Sequence, residues 1–193
     1  MQGEANSKQK PRVLTLYWSA TGNTEKIAKT IQKTLEQQNI MSSIIKIEDT
    51  TEVDLYEYDL IFLGSPSHGW LPPDPVQRFI KGKMTFHNKR GDIKLCSPRL
   101  PGKSAVVFCT YSGPHTGIRE AIPACKYMGQ FFEHLGFEVL EEWQIVGEFH
   151  GREEHSTKGP MGDTRGRPNT EDLRKVENDV RRLVRSLYSN KQQ

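Results

Sequence analysis

Long apolar runs are missing from this chain. No stretch of its 193 residues approaches the ~20 consecutive apolar residues that cross a bilayer, so no membrane-spanning role is expected. Cysteine is scarce. Cys96, Cys109 and Cys125 are an odd number without C-x-x-C spacing, which argues against a zinc knuckle or a disulfide framework and fits a reducing, cytoplasmic location. An excess of one charge is missing too: Lys and Arg number 27 against 24 Asp and Glu, a formal net charge of +3. The most basic tract, Arg174 to Arg185, is interrupted by Glu177 and Asp179; it reads as a solvated helix face, and no nucleic-acid partner is expected. Met1 to Lys10 is polar, lacks the apolar core of a signal peptide and reads as a loose tail.

What is present is globular: 35% of residues are apolar and 26% charged. Val13-Leu14-Thr15-Leu16-Tyr17-Trp18 is a run of strand formers ended by a Ser/Thr/Gly/Asn cluster. Ile27, Ala28, Ile31 and Leu35 then repeat at helical spacing. Ile44, Ile45 and Ile47 mark a second strand and Asp59 to Gly64 a third. A short helix is predicted over Pro75 to Lys81, and residues 82–102 read as an irregular polar excursion. Ser104 to Cys109 is the fourth strand. A helix with Ile118, Ala121, Ile122, Cys125, Met128, Phe132 and Leu135 on one face follows, with Pro123 near its start and Gly136 at its end. Phe137 to Val146 is the fifth strand, Gly147 to Pro168 a glycine- and charge-rich loop. Leu173, Val176, Val180, Val184 and Leu187 stripe a last helix capped by Asn169 or Thr170.

Apolar strands alternating with helices predict an α/β fold, a doubly wound parallel sheet with helices on both faces. The expected domains are a disordered N-terminal tail over 1–11, a single domain over 12–188 and a C-terminal tail over 189–193. Ligands of such sheets sit at the carboxyl ends of the strands, so the loops that begin at Ser19, Gly64, Thr110 and Gly147 are the candidates.

Ser19-Ala20-Thr21-Gly22-Asn23-Thr24 lies directly before a helix, whose N-terminal N–H groups suit a phosphate; the hydroxyls of Ser19, Thr21 and Thr24 add donors. With neither the lysine of a nucleotide-hydrolysing loop nor G-x-G-x-x-G, the loop fits a terminal monophosphate. An ordinary Ser/Thr-rich helix cap is the plainer alternative.

At these residues the chain resembles the flavodoxins, whose signature is a strand, [ST]-x-T-G-x-T and a helix. Asp59 to Pro66 resembles the family's third strand and first isoalloxazine loop, Phe108 to Gly113 its fourth strand and second flavin loop, and Gly166 to Leu173 its approach to the last helix. The resemblance spans roughly residues 12 to 188. It implies a five-stranded parallel sheet of order 2-1-3-4-5, bound FMN and electron transfer. The chain differs from simple flavodoxins in its slightly basic charge, in the length of 82–102 and in the excursion Gly147 to Arg167.

Given the resemblance, the first flavin loop is Ser65, Pro66, Ser67, His68, Gly69 and Trp70, with His68 or Trp70 as a ring wall; the second is Thr110, Tyr111, Ser112, Gly113 and His115, with Tyr111 or His115. Surface packing for Trp70 and a core position for Tyr111 are the alternatives. His68, His115, His150 and His155 share one predicted rim, where solvated or flavin-edge imidazoles are expected and no metal or catalytic residue is assigned. The implied function is an FMN-binding carrier of electrons between a redox protein donor and acceptor. The alternative is an NAD(P)H-dependent FMN or quinone reductase on the same fold, where Arg152, Arg165 and Arg167 would meet a nucleotide phosphate, although solvation of the loop is the plainer reading of these arginines. A receiver-type signalling module needs acidic groups where Ser19 and Gly64-Ser65 stand.

Overall fold

The apolar segments become strands β1 (Arg12–Tyr17), β2 (Met41–Lys46), β3 (Leu60–Pro66), β4 (Ser104–Tyr111) and β5 (Glu138–Val146) in a computed structural model that describes residues 11–189. The helices are α1 (Asn23–Gln37), α2 (Asp74–Arg90), α3 (Ile122–His134), the short α4 (Glu153–Thr157) and α5 (Thr170–Ser189). The tails expected over 1–11 and 189–193 fall outside the described residues except at their inner ends. Among the described residues no helix is long and apolar enough to cross a membrane.

All five strands are parallel in the order β2-β1-β3-β4-β5. The inner strands β1, β3 and β4 are almost wholly buried, because helices cover both faces. On one face Ile27, Ile31 and Leu35 of α1 and Val176, Val180 and Val184 of α5 pack on Val13, Phe62 and Phe108. On the other, Val76, Phe79 and Ile80 of α2 and Met128 and Phe132 of α3 pack on Leu14, Leu63 and Val107. The edge strands differ from the expectation of apolar residues on both faces: β2 is half exposed, and β5 carries Glu138, Glu141 and Glu142. A bulge at Leu140, between partners Ala105 and Val106, shifts the β4–β5 register.

The predicted short helix over 75–81 is corrected: α2 runs on to Arg90. Its second half hides from hydrophobic periodicity because its inward positions are polar. Lys83 is buried and its Nζ donates to the Val53 carbonyl at 2.6 Å. His87 is fully buried with Nδ1 2.9 Å from Asp92 Oδ2. Gly91, in the left-handed region, ends the helix, and Asp92 N donates back to the His87 carbonyl at 3.0 Å. The irregular excursion is therefore only 91–103. Likewise a 3-10 turn, Gly117–Glu120, precedes α3, and the loop 147–168 contains α4. Asn169 does cap α5, its Oδ1 accepting from Glu171 N at 2.9 Å and Asp172 N at 3.2 Å.

Gly64 sits where β3 meets the fully buried Phe108 ring of β4, and a Cβ there would lie 2.0 Å from Phe108 Cζ. The ring is enclosed and has no room to yield. Gly64→Ala is therefore expected to destabilise the fold by about 1–3 kcal/mol through overpacking, read as a lower urea midpoint. An unchanged midpoint would show that the contact relaxes freely.

Candidate functional site

The order β2-β1-β3 makes the chain leave β1 and β3 toward opposite sides, which opens a crevice at their carboxyl ends. α1 begins in that crevice. Gly22 precedes it with φ 97°, in the left-handed region where a side chain is disfavoured, and its N–H donates to Ser19 Oγ at 3.1 Å. No side chain caps α1, so its first-turn N–H groups have no side-chain acceptor. The one acidic group of that turn, Glu25, is engaged by Lys29 at 2.6 Å, which holds its carboxyl below the usual range.

Three further loops are tied to this helix start. Thr24 and Thr110 share a buried hydroxyl–hydroxyl hydrogen bond of 2.8 Å. Asn23 Nδ2 donates to the Glu148 carbonyl at 2.9 Å. Ser67 N donates to the Thr110 carbonyl at 2.9 Å, and Ser67 Oγ donates to the Glu120 carbonyl.

The loop after β3 closes on itself through His68 N to the Leu71 carbonyl, 2.9 Å, and Leu71 N to the His68 carbonyl, 3.3 Å. Gly69 and Trp70, at φ 55° and 71°, form the two central positions of this turn. A bulky residue rarely adopts such a φ, so backbone strain accompanies the presentation of Trp70, whose side chain is 63% exposed at the rim. His68 is open on one side and packs edge-on against Trp18 on the other, with centroids 6.1 Å apart; burial lowers its pKa.

The loop after β4 is fixed from within. Glu120 Oε1 accepts from His115 N at 2.8 Å and Thr116 N at 2.7 Å. Tyr111 is almost buried, its hydroxyl 4.0 Å from Met161 Sδ, and burial raises its pKa. The excursion after β5 is ordered by hydrogen bonds. Ser156 Oγ accepts from Phe149 N at 2.8 Å and donates to its carbonyl at 3.2 Å; Glu148 N donates to the Arg167 carbonyl at 2.8 Å.

The result is one cleft of about 620 Å³, within the range of small-molecule sites. It is lined by Ser19, Ala20, Thr21, Asn23 and Thr24 from the first loop, Pro66, Ser67, His68, Gly69 and Trp70 from the second, and Thr110, Tyr111, Ser112, Gly113 and His115 from the third. Of the expected residues, Gly22 and Ser65 do not line it; Ser65 is fully buried, with Oγ donating to the Pro66 carbonyl at 2.9 Å. Sequence reasoning attached no ligand to Pro114, Glu120, Glu148 or Phe149, and considered His150 and His155 only as rim imidazoles; all six line the cleft. The loop from Gly147 at the carboxyl end of β5 is among the four candidate ligand loops, but without a motif nothing in it singles out a residue for a ligand. Among the described residues no three His, Cys, Asp or Glu groups converge as a metal site requires.

The sequence model of the family described as Flavodoxin matches residues 15–175. A flavodoxin of Megasphaera elsdenii is 37% identical over 98 residues, 50% of this chain; the match spans 62% of that relative's length. Flavodoxin 2 of Bacillus cereus superposes with TM-score 0.62 at 22% identity, covering 91% of this chain and 99% of the other. A short-chain flavodoxin associated with a bacterial microcompartment does so with TM-score 0.64 at 17% identity, covering 92% and 99%. At such identities the superpositions show the shared fold.

His68 is expected to titrate below the ordinary imidazole value of ~6.5. Folded His68 then holds its proton less well than unfolded His68, so its contribution to stability is complete above that value and is lost as pH falls below it. Histidine ring NMR against pH, with urea unfolding of wild type and His68→Ala, checks both points. A His68 signal titrating at or above the ordinary value would contradict the packing argument.

Proposed function

The chain belongs to the flavodoxin family, and from that membership we propose that its cleft holds FMN and that the protein carries electrons between a redox protein donor and acceptor. The observation that carries this reading is the start of α1: an uncapped helix N-terminus, preceded by left-handed Gly22 and flanked by Ser19, Thr21 and Thr24, opening into a cleft bounded by the β3 and β4 loops. A Cβ at Gly22 would meet nothing within 4 Å, so it is the left-handed φ of 97° rather than crowding that calls for glycine before the nest. Helix N–H groups and hydroxyls recognise a phosphate dianion without lysine, and a single such nest matches one phosphate. The donor set thus fits FMN, which when bound supplies the redox chemistry.

This chain's residues supply binding, orientation and shielding. Thr21 and the first-turn N–H groups would hold the phosphate. Thr24 would add a third hydroxyl donor, its oxygen accepting from Thr110 while its own proton goes to the phosphate. Trp70 offers an exposed face for stacking, whereas Tyr111 closes the floor of the cleft.

The reductase alternative draws on Arg152, Arg165 and Arg167 for a nucleotide phosphate; ion pairs weigh against the last two, while Arg152 is exposed and makes no ion pair among the described residues. Arg165 is held by Asp163 at 2.6 Å and Glu153 at 3.1 Å, and Arg167 is paired with Asp172. Each would have to give up a carboxylate to meet a phosphate. Spectra of the reconstituted protein under anaerobic NAD(P)H separate the readings: a flavin that stays oxidised supports the carrier, rapid bleaching the reductase.

Mass spectrometry of the bound cofactor is expected to show FMN rather than FAD. Thr21→Ala and Thr24→Ala should each weaken FMN binding roughly tenfold to a hundredfold, the worth of one hydrogen bond to a charged group. Equal affinities in titrations of the apoprotein would move the phosphate elsewhere. Trp70→Ala is expected to raise the fluorescence of bound flavin by removing a stacked quencher; unaltered fluorescence would take Trp70 out of the ring wall.

A further inference from the structure

The excursion 147–168 has no part in the motifs that place the phosphate loop and the two flavin loops, yet it is built as a wall. Ser156 and Thr164 are each 1% exposed and staple it: Thr164 N donates to the Ser156 carbonyl at 2.7 Å, while Ser156 Oγ holds both the N–H and the carbonyl of Phe149. It is pressed on the β4 loop. A Cβ at Gly159 would stand 2.8 Å from Pro114 Cα, and Met161 Sδ reaches the Tyr111 hydroxyl.

This wall lines the cleft with Glu148, Phe149, His150 and His155; of these, His155 is the one with a ring nitrogen sealed and unpaired. Its ring is fixed edge-on between Phe149, at 4.8 Å, and His115 of the β4 loop, at 5.5 Å. Nδ1 is sealed from solvent, and among the described residues it has no hydrogen-bond partner; Nε2 is not among the sealed, unpaired atoms and makes no hydrogen bond to the described residues. A sealed N–H without an acceptor is rarer in proteins than a sealed unpaired acceptor. The proton of the neutral ring therefore belongs on Nε2, which leaves an uncommitted donor at the cleft, beside the loop assigned to the flavin ring.

We propose that the excursion is a third wall of the cofactor site and that His155 is a flavin-binding residue, its Nε2–H donating to an oxygen of the bound flavin nucleotide. The proposal rests on the reading that the cleft holds FMN. It assigns the excursion a binding role and explains why a residue with one buried, unpartnered nitrogen is held so firmly by neighbouring rings.

The test is FMN titration of the full-length apoprotein in wild type, His155→Ala, His155→Asn and His155→Gln, with the melting temperature of each apoprotein as control. A glutamine places an N–H at a reach similar to Nε2; asparagine and alanine do not. Alanine and asparagine should weaken FMN binding roughly three- to tenfold, one hydrogen bond to an uncharged acceptor, while glutamine stays near wild type and the apoprotein melting temperatures stay together. Wild-type affinity in all variants would overturn the proposal. So would an equal loss in all three, which would mean that the imidazole acts by packing alone, or a loss matched by a fall in apoprotein melting temperature. Wild type failing to bind FMN at all would instead bring down the cofactor reading on which the proposal stands.

Discussion

One buried hydrogen bond, between the hydroxyls of Thr24 and Thr110 at 2.8 Å, joins the first turn of α1 to the end of β4. The rest of the site hangs on that junction. β4 is the strand between β3 and β5, so fixing its end fixes the Thr110 carbonyl that receives Ser67 N and the loop that carries His115. The neighbouring Asn23 extends the lacing to Glu148. Four loops that emerge from four strands are thus held in register by a few polar contacts at one level of the sheet. A hydrogen bond between neutral groups contributes only about 1 kcal/mol to stability. Its larger effect here is positional, because both partners are mounted on rigid, fully packed elements.

The parallel sheet explains where strain is tolerated. β1, β3 and β4 are sealed between two apolar layers and have no freedom to slip. The loops at their carboxyl ends then carry conformations that a weaker frame would relax: left-handed Gly22 before α1, and Gly69 and Trp70 at successive left-handed positions. Such strain gathers where a backbone must approach a ligand or expose a side chain. At the opposite end of the sheet the left-handed non-glycine residues are Asn39, before β2, and Cys96 and Ser97 in the 91–103 loop.

Charge is used locally in this chain. Arg165 and Arg167 are paired with carboxylates of their own segment, and Glu25 with Lys29 one turn away. The exposed apolar side chains Trp70, Leu71 and Phe149 lie in the loops around the opening. The slightly basic balance of the chain is spread over helices such as α5, where Arg182 pairs with Glu141 and Asp179.

Periodicity and local motif chemistry made much of this legible without coordinates. Continuous apolar runs at Val13 to Tyr17, Leu60 to Gly64 and Ser104 to Cys109 mark strands buried on both faces, because only such strands need no polar side. The six residues from Ser19 to Thr24 locate the helix start, but a Ser/Thr cap is as open as a ligand nest until the structure shows no side chain capping it. The second half of α2 was not legible: its inward positions are Lys83 and His87, tolerable in burial only because Lys83 reaches the Val53 carbonyl, 30 residues away, and the helix ends so that Asp92 meets His87. Nor was the third wall. Ser156, Thr164 and His155 lie in a segment with no period, and their roles exist only through contacts with Phe149 and His115. Local sequence determines an element when the element's own neighbours satisfy it; where the partner is distant along the chain, packing alone decides.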